Sequence, residues 1–161
     1  MTQMGNFMIK VSNLTKNFGH IRAVNAISLG VERGEVLGFL GPNGAGKTTT
    51  MRLITGYLEA DDGEVLIDGT SISDNPMIAK SKIGYLPENA PVYGDMNVKA
   101  FLSFVAGIRG LKAKKALEAI NRAVEICHLE KVFYQSIETL SKGYMRRVSF
   151  AQSILHDPPI L

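Results

Sequence analysis

The 161 residues are enough for one domain of ordinary size with a real core. Hydrophobic residues make up 45% and charged residues 20%, which excludes a disordered chain, and a net charge of +3 is too small to argue for nucleic acid as a partner. Cys127 is the only cysteine, so an intrachain disulfide is excluded and a reducing compartment is expected. No apolar run approaches the ~20 residues that span a bilayer, and the N-terminus shows no apolar core of a signal peptide. The expected location is the cytosol, with docking on a membrane protein left open.

In chain order, Phe7–Val11 and Ala23–Val31 read as strands, and Arg33-Gly34 marks a turn. Val36–Leu40 reads as a buried strand, and Lys47–Thr55 as a helix that ends at Gly56. Glu64–Ile67 followed by Asp68-Gly69 has hairpin chemistry. Ile83–Leu86 is a short apolar strand that stops at Pro87. Beyond it the pattern becomes helical. Val98, Phe101, Leu102, Val105 and Ile108 follow one helical stripe. Ala113, Ala116, Leu117, Ile120, Ala123, Val124 and Cys127 follow another, with Gly110 between the two. Cys127 falls on that stripe as a core residue, and Lys112, Lys114 and Lys115 form the solvated start of the second helix. A third helix is expected from the N-cap Ser141 to about Leu155, ahead of Pro158-Pro159.

The chemistry concentrates in Gly41-Pro42-Asn43-Gly44-Ala45-Gly46-Lys47-Thr48, which matches G-x-x-x-x-G-K-[ST], the phosphate-binding P-loop. A triphosphate is a dense cluster of negative charge. Backbone N–H groups can surround it only where no Cβ intrudes, hence the glycines. Lys47 supplies a cation for the β- and γ-phosphates, Thr48 a hydroxyl for Mg²⁺, and the following helix points its positive end at the anion. The spacing G-x-G-x-x-G of a dinucleotide site is absent.

Four landmarks in order resemble the ATP-binding subunit of ABC transporters, and the resemblance covers essentially the whole chain. The first is Phe18 in Lys16-Asn17-Phe18-Gly19, an aromatic upstream of the P-loop whose counterpart in the family stacks on adenine. The second is Gly41 to Thr48, continuing through Thr49 and Thr50. The third is Ile83-Gly84-Tyr85-Leu86-Pro87-Glu88, similar to the strand and hinge that normally end in glutamine, the Q-loop. Glu88 stands at that position. A carboxylate can coordinate Mg²⁺ but cannot donate the amide hydrogen bond, and some exporter-type members carry Glu here. The fourth is Leu140-Ser141-Lys142-Gly143-Tyr144, similar to the LSGGQ signature with Lys142 for Gly and Tyr144 for Gln. Ser141 and Gly143 are the pair expected to reach the γ-phosphate held by a second subunit. Lys142 adds a positive charge either near that phosphate or in solvent.

The resemblance implies an α/β P-loop ATPase cassette, a mixed sheet core plus a helical subdomain. Residues 1–87 would form the nucleotide-binding core, 88–155 the helical subdomain ending in the signature helix, and 156–161 the start of the Walker B strand. ATP and Mg²⁺ are the implied ligands, with Thr48 and Glu88 on the metal. The implied partners are a membrane-spanning permease subunit and a second ATP-binding subunit, as homodimer or heterodimer, on the cytoplasmic face of the membrane; nucleic acid is not expected. The implied activity is ATP hydrolysis coupled to transport, in the style of export. The Walker B Asp-Glu, the D-loop and the switch histidine would follow Leu161, and His20, His128 and His156 precede that region. His156 beside Asp157 reads as a surface cap at a helix end. The 161 residues alone are therefore expected to turn over no ATP. The alternatives are a soluble ABC ATPase acting on ribosomes or DNA, and a non-catalytic nucleotide-binding or dimerisation module.

Overall fold

A computed structural model of the chain describes residues 7–88 and 92–161. It divides into two compact units that part between Ile83 and Gly84.

The first unit is built on two long strands, β1 (Phe7–Phe18) and β2 (Ile21–Glu32), paired antiparallel. Both run longer than their apolar cores suggest, and each absorbs an irregularity. Asn13 and Ala26 take left-handed backbone conformations, at φ 50 and 47. The amides these kinks displace find hydroxyls: Asn13 N–H donates to Ser28 Oγ at 2.8 Å, and Ala26 N–H to Thr15 Oγ1 at 3.0 Å. β3 (Asp62–Ile67) pairs with the other edge of β1 and turns back into β4 (Thr70–Ser71), giving a sheet ordered β2-β1-β3-β4. The Asp68-Gly69 turn has positive φ at both residues, as a two-residue hairpin requires. Met8, Val11, Leu14, Val65 and Ile67 are buried on this sheet, with Leu53 and Ile54 of α1 (Lys47–Ile54). A short helix α2 (Pro76–Ser81), not marked by any apolar stripe, carries Pro in its first turn and is followed by Lys82. The Lys82 ammonium donates to Asp68 O, Asp68 Oδ2 and Thr70 Oγ1, tying the end of that helix to the hairpin.

Two expected strands are corrected. Val36–Leu40 is neither a strand nor buried: Val36 is 95% and Leu40 96% exposed. Such an apolar run becomes a strand only when neighbours take up its backbone hydrogen bonds, and among the described residues no strand pairs with it. Of Ile83–Leu86, only Ile83 has bridge character. In the second unit, Gly84 N–H donates to the Ile160 carbonyl at 2.8 Å. One such bond does not make a strand.

The second unit is helical: α3 (Val98–Ile108), α4 (Ala113–Cys127) and α5 (Lys142–Ile154), with short 3₁₀ turns at Glu130–Val132 and Ile137–Thr139. Asn97 caps α3 by accepting Ala100 N–H at 2.8 Å. α4 ends at His128, which takes the left-handed conformation at φ 52 while Leu129 N–H closes back on Val124 O. Phe101, Leu102, Ile120, Ala123, Leu129, Ile137, Val148 and Leu155 form one continuous core. Cys127 is buried in it, and burial pushes its thiol pKa up. The stripes fade at their ends, with Ile108 68% and Leu117 59% exposed. Among the described residues no helix is long and apolar enough to cross a membrane.

Candidate functional site

The loop Gly41–Gly46 leads directly into α1, whose first residue is Lys47. Three glycines hold the loop's shape: Gly41, Gly44 and Gly46 have φ of 152, 84 and 85. Gly46 also has a steric reason. A Cβ there would lie 2.3 Å from the Ala23 carbonyl oxygen of β2. A Cβ on Gly44 would meet nothing within 4 Å. The loop is thus seated on the β1–β2 hairpin at Gly46 and open at Gly44.

Lys47 is half-buried and folds back across the loop, where its ammonium donates to the carbonyls of Gly41 and Pro42, each at 2.7 Å. A cation held by two neutral carbonyls at the mouth of a glycine loop is already placed for an anion. Pro42, Asn43, Gly44 and Ala45 are exposed, as is Thr48, while Thr49 is half-buried. Thr50 is buried and donates its hydroxyl to Gly46 O at 3.0 Å, which locks the helix start. Among the described residues no three His, Cys, Asp or Glu side chains gather as metal ligands. The exposed Thr48 side chain offers one hydroxyl oxygen. That fits Mg²⁺, which keeps most of its shell as water and substrate phosphate oxygens.

Phe18 ends β1, opposite Ile21 and before the Gly19-His20 turn, and its ring is 50% exposed. The Lys16 ammonium lies 6.0 Å from the ring centroid. The Asp61 carboxylate accepts Lys16 Nζ–H at 2.6 Å and Asn17 N–H at 2.6 Å. The Lys16 hydrogen bond first, and the Asn17 amide second, hold the Asp61 carboxyl below the ordinary carboxylate range. Local patterning gives no sign of this cluster, because Asp61 is distant in sequence from the residues it holds.

The remaining candidates lie in the second unit. Ser141 caps α5, accepting Tyr144 N–H at 3.4 Å. Gly143 follows in the first turn, where a Cβ would find only Ser141 Oγ, at 3.8 Å. Glu88 is exposed and lines a cavity of about 610 Å³ with Leu86, Val92, Lys142, Met145 and Arg146. The structure therefore brings Glu88 to the same face of α5 as Lys142, with Met145 and Arg146 as neighbours that motif reading misses. The Tyr144 ring carries Arg147 at 5.4 Å. Asp157 is paired with Arg122 of α4 at 3.3 Å.

A glycine loop that opens a helix, with a lysine at the helix's first residue and an α/β frame beneath it, defines a nucleotide-binding domain of the P-loop class. The family model described as ABC transporter matches residues 24–161. The chain is 34% identical over 157 residues to the probable multidrug ABC transporter ATP-binding protein YbhF of Escherichia coli, covering 98% of this chain and 27% of that one. It is 36% identical over 156 residues to the lipopolysaccharide export system ATP-binding protein LptB of the same organism, covering 95% and 65%. A solved ATP-binding subunit of an ABC transporter superposes with a TM-score of 0.84 at 26% identity, over 95% of this chain and 65% of that chain. The chain belongs to the ABC transporter family, among its ATP-binding subunits. It spans between about a quarter and two thirds of the length of these relatives.

Proposed function

We propose that this chain binds Mg²⁺-ATP through Gly41–Thr49 and Phe18, and that in the full-length protein a second subunit and a membrane permease complete the machine. The observation that carries the reading is the loop itself: three glycines in conformations that L side chains rarely adopt, closed by an ammonium resting on two carbonyls. In this reading Lys47 meets the β- and γ-phosphates, Thr48 offers its hydroxyl to Mg²⁺, and the exposed Phe18 ring stacks on adenine. The metal, when bound, screens the phosphate charge and orients the γ-phosphoryl group. The family is generally one of ATPases; hydrolysis, transport coupling and export are proposed for the full-length protein, on the resemblance to LptB and its kin.

Calorimetric titration of the 161-residue chain with Mg²⁺-ATP tests the core of this reading, and absence of saturable binding would refute it. Phe18→Ala is expected to weaken ATP by about 1–2 kcal/mol, roughly five- to thirtyfold, through lost stacking. Tripolyphosphate affinity should be unchanged. Equal losses for both ligands would make Phe18 a packing residue.

Ser141 and Gly143 are proposed to face the γ-phosphate bound by a second subunit. Glycine inside a helix costs up to about 1 kcal/mol relative to alanine, and among the described residues nothing crowds Gly143. Space for a group arriving from outside accounts for it. Ser141→Arg in the full-length protein is expected to abolish ATP-dependent dimerisation in light scattering while leaving ATP affinity of the monomer within about twofold. Normal dimerisation would reduce Ser141 to a helix cap. We propose that the permease contacts this chain at the cavity beside Glu88, which Lys142 and Arg146 line together with the apolar Leu86, Val92 and Met145.

A further inference from the structure

We propose that Asp61 is a positioning residue for the nucleobase: its carboxylate continues the sheet edge beyond β3 and fixes the strand end that presents Phe18. This rests on the reading of Phe18 as the adenine platform.

The argument begins with where β3 starts. Its pairing with β1 ends at Thr15↔Asp62, and the last backbone bond on that edge runs from Asp61 N–H to Thr15 O at 3.0 Å. Lys16, Asn17 and Phe18 overhang it. On the other edge they pair with β2, but there the register shifts between Leu14 and Lys16 and again between Lys16 and Asn17. A strand end held on one edge, through an irregular ladder, would leave an exposed ring poorly aimed.

Asp61 supplies the missing edge. Its Oδ2 accepts Asn17 N–H at 2.6 Å, in the place of the carbonyl a longer β3 would offer, and also Asn17 Nδ2 at 3.2 Å. Its Oδ1 accepts Lys16 Nζ–H at 2.6 Å, so the two residues before Phe18 are both clamped. The chain of bonds continues on the far side. Arg22 Nε donates to Asn17 Oδ1 at 3.2 Å, and Arg22 Nη1 to Asn25 Oδ1 at 3.2 Å, which ties the clamp into β2. The Lys16 side chain is only 14% exposed although it ends in a charge, and its ammonium is held 6.0 Å from the Phe18 ring. The Lys16 and Asn17 hydrogen bonds hold the carboxyl below the ordinary carboxylate range, so it accepts both as a carboxylate.

The test compares Phe18→Ala, Asp61→Ala and the double variant of the 161-residue chain, titrated with Mg²⁺-ATP and with tripolyphosphate. Asp61→Ala is expected to weaken ATP roughly two- to fivefold, the range for a partly exposed charged contact, and to leave tripolyphosphate unchanged. In the Phe18→Ala background the same change should cost nothing further. Asp61→Asn, which keeps an acceptor for Asn17 N–H, should recover part of the loss. A spectroscopic arm reads the platform without ligand. The chain has no tryptophan, so Phe18→Trp introduces a single tryptophan, excited apart from the five tyrosines, whose anisotropy should fall when Asp61→Ala is added. Equal loss for ATP and tripolyphosphate, a full Asp61→Ala penalty in the Phe18→Ala background, or unchanged anisotropy would each overturn the inference while leaving the platform standing. If Phe18→Ala itself leaves ATP affinity intact, the platform reading fails and the inference falls with it.

Discussion

Replacing Lys47 by alanine should weaken Mg²⁺-ATP binding about ten- to a hundredfold. The ammonium lies at the loop mouth, and a hydrogen bond to a charged group is worth on the order of 1.5–3 kcal/mol. In this structure it rests on the carbonyls of Gly41 and Pro42. In the proposed reading those bonds stand in for phosphate oxygens, and exchanging neutral for anionic acceptors would be a net gain. The same bonds brace the loop, so the variant also loses a cross-tie. That loss is local, because Gly41, Pro42 and their neighbours are exposed and carry none of the core. The unfolding midpoint should therefore move by less than about 4 °C, the equivalent of roughly 1 kcal/mol in a chain of this size. Calorimetry and a thermal melt separate the two effects. An unchanged ATP affinity would remove Lys47, and the phosphate assignment of the loop with it.

Legibility in the sequence followed the range of the interactions. The P-loop could be read because its chemistry is contiguous: glycine, lysine and threonine at fixed offsets specify both backbone shape and charge. The helices α3 and α4 could be read because each declares its buried face within about a dozen residues, and α5 because Ser141 marks its start ahead of Pro158-Pro159; the Asn97 cap of α3 carries no such local signal. The Asp68-Gly69 hairpin was equally local. What failed was what depends on distant partners. Val36–Leu40 has the composition of a buried strand, but a buried strand is defined by neighbours, and the residues alone do not say whether neighbours are present. β1 reads short because the kink at Asn13 breaks its alternation, whereas Ala23–Val31 runs through the kink at Ala26 and misses only the ends of β2; the hydroxyls that repair the two kinks, Ser28 and Thr15, lie on the opposite strand. The Asp61 clamp was missed for the same reason. Nothing in Ala60-Asp61-Asp62 announces that one carboxylate holds Lys16 and Asn17. Glu88 is singled out only by its resemblance to the Q-loop position, whereas the cavity it shares with Lys142 and Arg146 follows from the turn of α5.

Alanine at Gly46 and alanine at Gly44 should have clearly unequal effects, although the two glycines have nearly the same φ. Both substitutions force an L residue into the left-handed region, at about 1–2 kcal/mol. For Gly44 that is the whole cost, since no atom lies within 4 Å of the new methyl. For Gly46 the methyl would sit 2.3 Å from the Ala23 carbonyl oxygen, and a backbone atom cannot swing aside like the end of a long side chain. Ala23 lies in β2, whose neighbour Val24 is buried and pairs with Lys16 of β1. Relief must come from moving the hairpin or the loop, and overpacking of this kind adds about 1–3 kcal/mol. The expected fall in unfolding midpoint is about 2–8 °C for Gly44→Ala and about 4–20 °C for Gly46→Ala, using roughly 2–4 °C per kcal/mol. Hydrogen exchange localises the damage: amides of β2 around Ala23 should exchange faster in Gly46→Ala and not in Gly44→Ala. The contact also joins the two halves of the proposed nucleotide site, because the hairpin that meets Gly46 is the one that ends in Phe18. Gly46→Ala should accordingly lose affinity for both ATP and tripolyphosphate, with a further loss for ATP alone as the Phe18 platform shifts. Equal melting shifts for the two variants would show that the Ala23 carbonyl yields freely and that hairpin and loop are not mechanically joined there.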